Sequence, residues 1–281
     1  MKLADWVAGG TRVELNGHQV FVRQDGAGRP VTLVHGFPTS SHDWAGVVPH
    51  LVEAGCQVTT FDMLGFGQSD KPRHHHYSID EQADLLQAVW KRLGIGRTAL
   101  IAHDYGVSVA QELLAREPER FTRTALLNGG LYADLHRPIL GQRLLHSRIG
   151  PLLAHFIDEK KYTESVRSVL GKPISDEHLH EMWLASSRDH GLLVLPDLLH
   201  YIDDRRANYD RWTGALEHYD EGPLLFVWGP EDPISGAHVL KRLRERRPDA
   251  TFTVLDGIGH YPEVEAPEEV ARALSDFLTA A

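Results

Sequence analysis

Ala102-His103-Asp104-Tyr105-Gly106 is the stretch that decides the fold, because it joins a buried strand to a helix through a tight turn. The strand pattern is TALIA at 98–102, and the helix pattern is VSVAQELLA at 107–115. Small residues at both ends of the turn allow a sharp strand-to-helix bend, which holds the middle side chain, Asp104, above the sheet. The alternative is that Asp104 only caps its helix, as aspartate often does.

Strand and helix patterns alternate on both sides of this turn. Apolar, strand-length runs occur at 31–34, 58–61, 124–127, 224–228 and 251–255. Helical patterns occur at 42–53, 78–93, 106–117, 236–246 and 267–279, and Asn16-Gly17 joins the runs 11–15 and 18–23 as a hairpin. Strands that alternate with helices predict an α/β fold with a mainly parallel sheet.

Strand patterns disappear between Leu131 and Trp212, where helical periodicity is interrupted by several prolines. This stretch is expected to form a helical cap, inserted into a core domain made of residues 1–130 and 213–281. A cap of this kind lies over the carboxyl ends of the strands, where open α/β sheets bind their ligands.

Composition and charge exclude several classes of protein. The chain has 281 residues, 42% of them hydrophobic, and a formal net charge of −10, which argues against a nucleic-acid binder. The single cysteine, Cys56, excludes an internal disulfide. Neither a membrane-spanning run nor a signal-peptide pattern is present, so we expect a soluble, cytoplasmic protein that does not contact a membrane.

Two further loops carry residues that complement Asp104. WGPEDP at 228–233 follows one strand and contains Asp232, and GIGHYP at 257–262 follows the last strand and contains His260. Asp104, Asp232 and His260 stand in the nucleophile, acid and base order of α/β-hydrolases. We therefore predict a catalytic triad with Asp104 as nucleophile, His260 as base, and Asp232 as the acid that orients His260.

HGFP at 35–38 completes this predicted site. It follows the strand at 31–34, and Gly36 allows the backbone to turn toward Asp104. The backbone N–H groups of Phe37 and Tyr105 are the predicted oxyanion-hole donors. Taken alone, HGFP is equally consistent with a simple turn at the end of a strand.

Other clusters are not expected to bind a metal or a cofactor. Three adjacent histidines, His74 to His76, do not converge on one ion and are interpreted as a solvated loop. His178 and His180 are two residues apart on a helical pattern and do not share a face. We expect a small-molecule substrate and water to be the only partners.

Five motifs resemble the epoxide hydrolase and haloalkane dehalogenase branch of the α/β-hydrolases, and together they extend over nearly the whole chain. They are HGFPTSS (35–41), DMLGFGQSDKP (62–72), HDYG (103–106), GPEDP (229–233) and GHYPEVEAP (259–267). Within that branch the chain resembles the mesoderm-specific transcript family and its bacterial relatives most closely. That match is carried by HHYSI (75–79), VAQELL (109–114), LNGG (127–130), HRP (136–138) and RWTGAL (211–216).

The resemblance implies that Asp104 attacks a saturated carbon and forms an alkyl ester, which water activated by His260 then hydrolyses. A carboxylate suits this role because it is ionised at neutral pH and needs no base to attack. The favoured activity is hydrolysis of a small apolar epoxide, and the alternative is a haloalkane or haloacid dehalogenase. A third hypothesis is a binding protein that keeps the pocket without turnover.

The chain departs from both enzyme classes that it resembles. Dehalogenases of this kind generally have asparagine and tryptophan where Phe37 and Tyr105 stand here, which argues against a halide cradle. Epoxide hydrolases use two cap tyrosines as proton donors. The corresponding region offers His155, Tyr209 one position before the usual place, and Tyr132, with Tyr162 and Tyr201 as substitutes. Each tyrosine has the alternative interpretation of a helix-packing aromatic.

Overall fold

The computed structural model describes residues 1–280, and its eight strands form one sheet. The strands are β1 (Thr11–Leu15), β2 (His18–Gly26), β3 (Arg29–Val34), β4 (Cys56–Phe61), β5 (Thr98–Ala102), β6 (Phe121–Leu127), β7 (Leu224–Trp228) and β8 (Thr251–Val254). The core helices are α1 (Leu3–Ala8), α2 (Val48–Glu53), α3 (Ile79–Leu93), α4 (Tyr105–Arg116), α12 (Ala237–Arg246), α13 (Pro262–Glu265) and α14 (Pro267–Thr279). The helices between β6 and β7 are α5 (Leu140–Leu145), α6 (Gly150–Ala154), α7 (Glu159–Arg167), α8 (Asp176–Ser187), α9 (Leu195–Leu198), α10 (Tyr201–Ala207) and α11 (Tyr209–Glu217).

The sheet order is β1-β2-β4-β3-β5-β6-β7-β8, and every pair from β4 onward is parallel. The predicted α/β class is therefore confirmed. Strand β5 is completely buried, because helices cover both faces of the sheet, and the carboxyl ends of β3 and β5 to β8 lie along one edge. The first hairpin turns at Asn16 and Gly17, both with positive φ as a two-residue turn requires.

Three predicted boundaries differ from the structure. Strand β2 continues past Arg23 to Gly26, because these polar residues pair with β4 at the sheet's antiparallel side. The helix predicted at 42–53 is a 3₁₀ turn at Ser41–Gly46 followed by α2, since Pro49 lies in the first turn of a new helix. Strand β6 begins at Phe121 rather than at residue 124.

All regular structure between β6 and β7 is helical, within the described residues, and we call residues 133–217 the helical segment. Helix α11 runs through the predicted boundary at Trp212 and ends at Glu217. It does so because it packs along the core helix α4, where Nε1 of Trp212 donates to Oε2 of Glu112 at 2.6 Å. Among residues 1–280, no helix combines the length and the apolar character that are needed to span a bilayer.

Candidate active site

Asp104 lies at the sharp bend between β5 and α4, with φ 45° and ψ −106°. A non-glycine residue rarely adopts this conformation, and such strain is concentrated at functional sites. Gly106 makes the bend feasible, since a Cβ at this position would lie 2.8 Å from the carbonyl oxygens of Val34 and His35. The Asp104 carboxylate is buried, and its Oδ2 accepts a hydrogen bond of 2.9 Å from the backbone N–H of Phe37. It thus faces the HGFP turn instead of capping α4.

The three residues of the predicted triad meet at the carboxyl edge of the sheet, although two long stretches of sequence separate them. Nε2 of His260 lies 3.7 Å from Oδ1 of Asp104. Nδ1 of the same ring lies 2.8 Å from Oδ2 of Asp232. His260 therefore bridges two buried carboxylates, one through each ring nitrogen.

The charges of His260, Asp104 and Asp232 shift one another's pKa values. Burial alone would raise the pKa of Asp104, but the adjacent His260 imidazolium outweighs burial and lowers that pKa. Burial alone would lower the pKa of His260, but the negative charges of Asp232 and Asp104 raise it well above its usual range. The resting site is accordingly an imidazolium held between two carboxylates.

Asp232 is held by a set of donors that the sequence did not reveal. Its Oδ2 accepts from Nδ2 of Asn128 at 3.1 Å and from Oγ of Ser235 at 2.5 Å, and its Oδ1 accepts from the N–H of Ile234 at 2.7 Å. Burial would raise the pKa of Asp232, but the His260 charge and these hydrogen bonds lower it to about 2. Asp232 therefore stays ionised beside His260.

The HGFP turn is held close to Asp104. A Cβ at Gly36 would lie 2.9 Å from the Cβ of Asp104, so only glycine permits this approach. The His35 ring accepts from the N–H of Met63 at 3.1 Å, and its Nδ1 lies 2.8 Å from the carbonyl of Gly36. Since Nε2 accepts, Nδ1 carries the proton and donates to Gly36. Of the two predicted oxyanion donors, Phe37 contacts Asp104 directly, and Tyr105 contributes the first N–H of α4.

A cavity of about 600 Å³ leads to this group of residues. The core contributes Phe37, His260 and Tyr261 to its wall, and the helical segment contributes mainly apolar side chains, among them Leu145, Leu153, Ile157 and Val166. Phe37 and His260 line the cavity and also contact the Asp104 carboxylate, so the cavity is separated from Asp104 by one layer of side chains at most. Its volume and apolar lining are typical of a site for a small apolar ligand.

The three residues predicted as proton donors contact other parts of the chain. The hydroxyl of Tyr209 donates to Oδ1 of Asp134 at 3.1 Å, and His155 is exposed with Nδ1 2.9 Å from the carbonyl of Pro151. Tyr132 is buried, but its ring packs under the Arg242 guanidinium at 5.3 Å. None of the three lines the cavity in the described part of the chain, and their role as proton donors stays a prediction. Helix periodicity alone could not tell which side of each helix faces Asp104.

Tyr201 and Tyr162 were named as substitutes: Tyr201 does not line the cavity but packs beside the Asp104 turn, and Tyr162 lines the cavity. The Tyr201 ring lies 4.9 Å from Tyr105 and 6.1 Å from Phe37, measured between ring centroids. Its buried hydroxyl has no hydrogen-bond partner within residues 1–280. Tyr162 lines the cavity, but its hydroxyl is hydrogen-bonded to Oγ of Ser186 at 2.7 Å.

Arg205 supports the Asp104 bend from the helical segment. Its Nη2 donates to the Asp104 carbonyl at 3.1 Å, and its Nε donates to Oγ of Ser108 at 2.6 Å. The guanidinium also stacks on the Tyr201 ring at 4.4 Å from the centroid. Helix α10 is thereby fixed to the residue on which the site is built.

A second connection joins the helical segment to the His260 loop. The N–H of His260 donates to the carbonyl of Val169 at 3.0 Å. Oε2 of Glu265 accepts from the N–H groups of Gly171, Lys172 and Gly259 at 2.8 to 2.9 Å. The loop that carries the predicted base is therefore bonded to residues 169–172.

Two clusters in residues 1–280 have the side chains that transition metals bind. One is His18, His75 and Glu81, in which Nε2 of His75 lies 2.7 Å from Oε1 of Glu81. The other is His146, His200 and Asp203. Neither cluster includes a triad residue, so an ion bound to either would lie outside the Asp104 site.

Comparisons with known proteins agree with this architecture. The family described as alpha/beta hydrolase fold matches residues 29–158. The putative hydrolase LipZ of Mycobacterium tuberculosis is 38% identical over 98% of this chain and 97% of its own length. The chain belongs to the α/β-hydrolase family. This α/β-hydrolase is also 37% identical to the mesoderm-specific transcript homolog protein of Homo sapiens, over 98% of this chain and 88% of that protein.

A solved structure of similar shape is the haloalkane dehalogenase DbeA-M1 loop variant from Bradyrhizobium elkanii. Its TM-score is 0.82 at 21% identity, over 96% of each chain, a likeness that concerns the fold. The resemblance inferred from the motifs is thus confirmed at the level of family and fold.

Proposed function

We propose that this α/β-hydrolase opens small apolar epoxides by forming an alkyl ester on Asp104. The observation that carries the proposal is the Asp104 carboxylate itself, which stands at a strained bend and contacts Phe37 and His260, two residues that line an apolar cavity. Because this carboxylate is ionised at rest, it attacks carbon without a base.

In the first step, Oδ1 of Asp104 attacks a ring carbon of the epoxide. The carbon–oxygen bond breaks, and its electron pair moves to the ring oxygen, which must be protonated to leave as an alcohol. Oδ2 remains hydrogen-bonded to Phe37 and becomes the carbonyl oxygen of the new ester. The cavity's apolar side chains keep bulk water away from the reacting carboxylate.

Ester formation also prepares the second step. It removes the negative charge of Asp104, which is one of the two charges that raise the pKa of His260. The pKa of His260 therefore falls in the intermediate, the imidazolium gives up its extra proton, and the neutral ring can then take a proton from water. The resulting hydroxide attacks the ester carbonyl, the Phe37 and Tyr105 amides hold the oxyanion, and its collapse releases a diol and restores Asp104.

Tyr201 is the proton donor that we propose for the first step. Its hydroxyl is buried, it has no other partner in the described chain, and its ring packs against Tyr105 next to Asp104. Burial and the charge of Asp104 raise the pKa of Tyr201, so the phenol carries its proton at neutral pH. The proton that His260 gives up before ester hydrolysis restores the phenol, and the proton that the ring then takes from water restores the imidazolium of the resting site.

The same features favour an epoxide over a halide. A leaving halide needs N–H donors, and tryptophan and asparagine are absent from the positions next to the nucleophile where dehalogenases generally have them. The side chains at those positions are Tyr105 and Phe37. A leaving alkoxide needs a proton, which Tyr201 supplies. The helical segment acts in this proposal as a cap that provides both Tyr201 and most of the cavity wall.

The decisive experiment is intact-mass spectrometry of His260→Gln, incubated separately with styrene oxide and 1-bromobutane. The variant should form the alkyl-enzyme but fail to hydrolyse it. We expect the mass to increase by one whole epoxide molecule, with peptide mapping to Asp104. The double variant Asp104→Asn/His260→Gln should show no adduct if it is measured before the asparagine deamidates.

An adduct from 1-bromobutane alone would instead favour dehalogenation. If neither compound reacts, the epoxide proposal is wrong and a pocket that only binds becomes the better interpretation.

A further inference from the structure

Residues 136–157 differ in charge from the rest of the chain. This stretch contains Arg137, Arg143 and Arg148 but no aspartate or glutamate, in a chain with 39 acidic residues and a net charge of −10. All three arginines are exposed. This stretch of sequence is therefore basic within an acidic chain.

The same stretch exposes large apolar side chains. Among residues 1–280, seven large hydrophobic side chains are exposed, and five of them lie here: Leu140, Leu144, Ile149, Leu152 and Phe156. Leu152 and Phe156 are 62% and 64% exposed. We call these five residues, together with Arg137, Arg143 and Arg148, the collar. Clustered apolar exposure of this kind marks an interaction site.

The collar is continuous with the cavity. Leu140, Leu144 and Phe156 are exposed and also line the cavity wall, so they lie at its mouth. Ile149 and Leu152 extend the apolar surface outward without lining the cavity. Whatever covers the collar therefore faces the entrance for substrate.

We propose that the collar docks on an anionic lipid surface, so that the cavity opens toward the lipid. Arginines beside exposed leucine, isoleucine and phenylalanine are typical of segments that lie in a membrane interface. Each basic residue near an anionic surface adds to the binding. Docking of this kind needs no spanning helix, and it revises the expectation that the protein does not contact a membrane.

Charge favours lipid over a second copy of the chain. A two-fold interface through the collar would bring the arginines of one copy toward those of the other. An anionic bilayer pairs with the same arginines. An apolar epoxide also partitions into lipid, so docking would deliver the substrate class proposed above directly to the cavity.

Flotation with vesicles tests the docking. The wild-type protein should float with vesicles of equal phosphatidylcholine and phosphatidylglycerol, and much less with phosphatidylcholine alone. Ile149→Ser/Leu152→Ser should weaken binding about tenfold or more, because both side chains would leave the apolar interface. Leu184→Ser on α8 removes an exposed leucine outside the collar, so that its binding should be unchanged.

A charge-reversal pair tests the electrostatic part. Arg143→Glu/Arg148→Glu should weaken binding to anionic vesicles about tenfold or more. Arg92→Glu/Arg97→Glu makes the same change in net charge on another exposed surface, and its binding should remain close to that of wild type. Added salt should also weaken wild-type binding.

The proposal is overturned if wild type does not float, or if the collar and control variants lose binding equally. It is also overturned if sedimentation equilibrium shows a dimer that Ile149→Ser/Leu152→Ser dissociates, because the collar would then be a subunit interface. None of these measurements needs turnover, so their outcome is independent of the epoxide proposal.

Discussion

Asn128 donates a hydrogen bond of 3.1 Å to Oδ2 of Asp232, the same oxygen that lies 2.8 Å from Nδ1 of His260. The Asn128 side chain is itself fixed at both ends, because its Oδ1 accepts from the N–H of Gly229 at 2.7 Å and its Nδ2 also donates to the Gly229 carbonyl at 2.8 Å. Asn128 thus connects the loop after β6 to the loop after β7. Its side chain positions Asp232, and its backbone carbonyl accepts from the N–H of Asp104 at 2.9 Å, a bond that does not depend on the side chain.

Asn128→Ala should therefore slow ester hydrolysis more than ester formation. The substitution removes a buried donor from Asp232, which costs about 1–3 kcal/mol and corresponds to roughly 5- to 150-fold in rate. Rapid-quench experiments with styrene oxide separate the two steps. Asn208→Ala, whose side chain bonds only the Asp204 carbonyl, is the control. Equal slowing of both steps would show that Asn128 supports the whole site and not the orientation of His260.

Tyr201→Phe should slow epoxide opening by about 10²- to 10⁴-fold, the usual contribution of a general acid. Alkylation by 1-bromobutane should change little in the same variant, since bromide leaves without a proton. Single-turnover rates with the two compounds provide the comparison. Tyr162→Phe is the matched control, because it removes another hydroxyl from the helical segment. A similar loss of rate with both compounds would show that Tyr201 acts through packing and not as a proton donor.

The sequence was sufficient to predict the mainly parallel sheet and to predict that Asp104, Asp232 and His260 lie close together. Both depend on local patterns: a buried strand reads as a run of apolar residues, and the turn at Asp104 needs small residues at fixed positions. Each of the three residues also lies in the loop after a parallel strand, so the sheet brings the three together.

The supporting residues were missed because they act across the chain. Asn128 lies in LNGG, which has no local feature that points to Asp232, and Glu265 binds residues 171 and 172 far earlier in sequence. Tyr201 could not be ranked above Tyr209, since the orientation of short helices depends on tertiary packing. For the same reason, the sequence did not show that helix α11 continues past Trp212 to Glu217.

Glu263→Gln should destabilise the fold by about 3–5 kcal/mol, because it leaves a buried charge without its partner. Oε1 of Glu263 lies 2.8 Å from Nδ1 of His103, and both side chains are fully buried. Burial would lower the pKa of His103, but the Glu263 charge raises it. The pair of His103 and Glu263 therefore stabilises the fold at low pH, and this stabilisation is lost as the pH rises through the raised pKa of His103.

Urea unfolding measures this change, and the exposed Glu269→Gln serves as the control. If the free energy of unfolding falls equally in both variants, the buried pair does not contribute as predicted.

His136 should make the fold less stable in acid. Burial, with smaller contributions from nearby charges, lowers the pKa of His136 to about 3, and both ring nitrogens lack a partner within residues 1–280. The unfolded chain takes up a proton near pH 6.5, whereas the folded chain does not until about pH 3. Stability therefore falls with decreasing pH across this window, by about 1.4 kcal/mol per pH unit.

His136→Asn should remove this part of the pH dependence, and the exposed His218→Asn should not. Free energies of unfolding at several pH values between 4 and 6, derived from urea titrations, provide the test. An unchanged slope in His136→Asn would show that His136 is solvated in the folded protein.

The hydrogen bonds from Glu265 and His260 to residues 169–172 distinguish two parts of the helical segment: one is tied to the loop that carries His260, and the other is not. The part that includes Val169 and Gly171 is hydrogen-bonded to the loop that carries His260, so a substitution in this part should also shift the His260 imidazole. The helices at 140–154 line the cavity but lie outside those bonds. Replacing these helices should therefore change the cavity wall, and with it the substrates that fit, without moving His260 relative to Asp104 and Asp232.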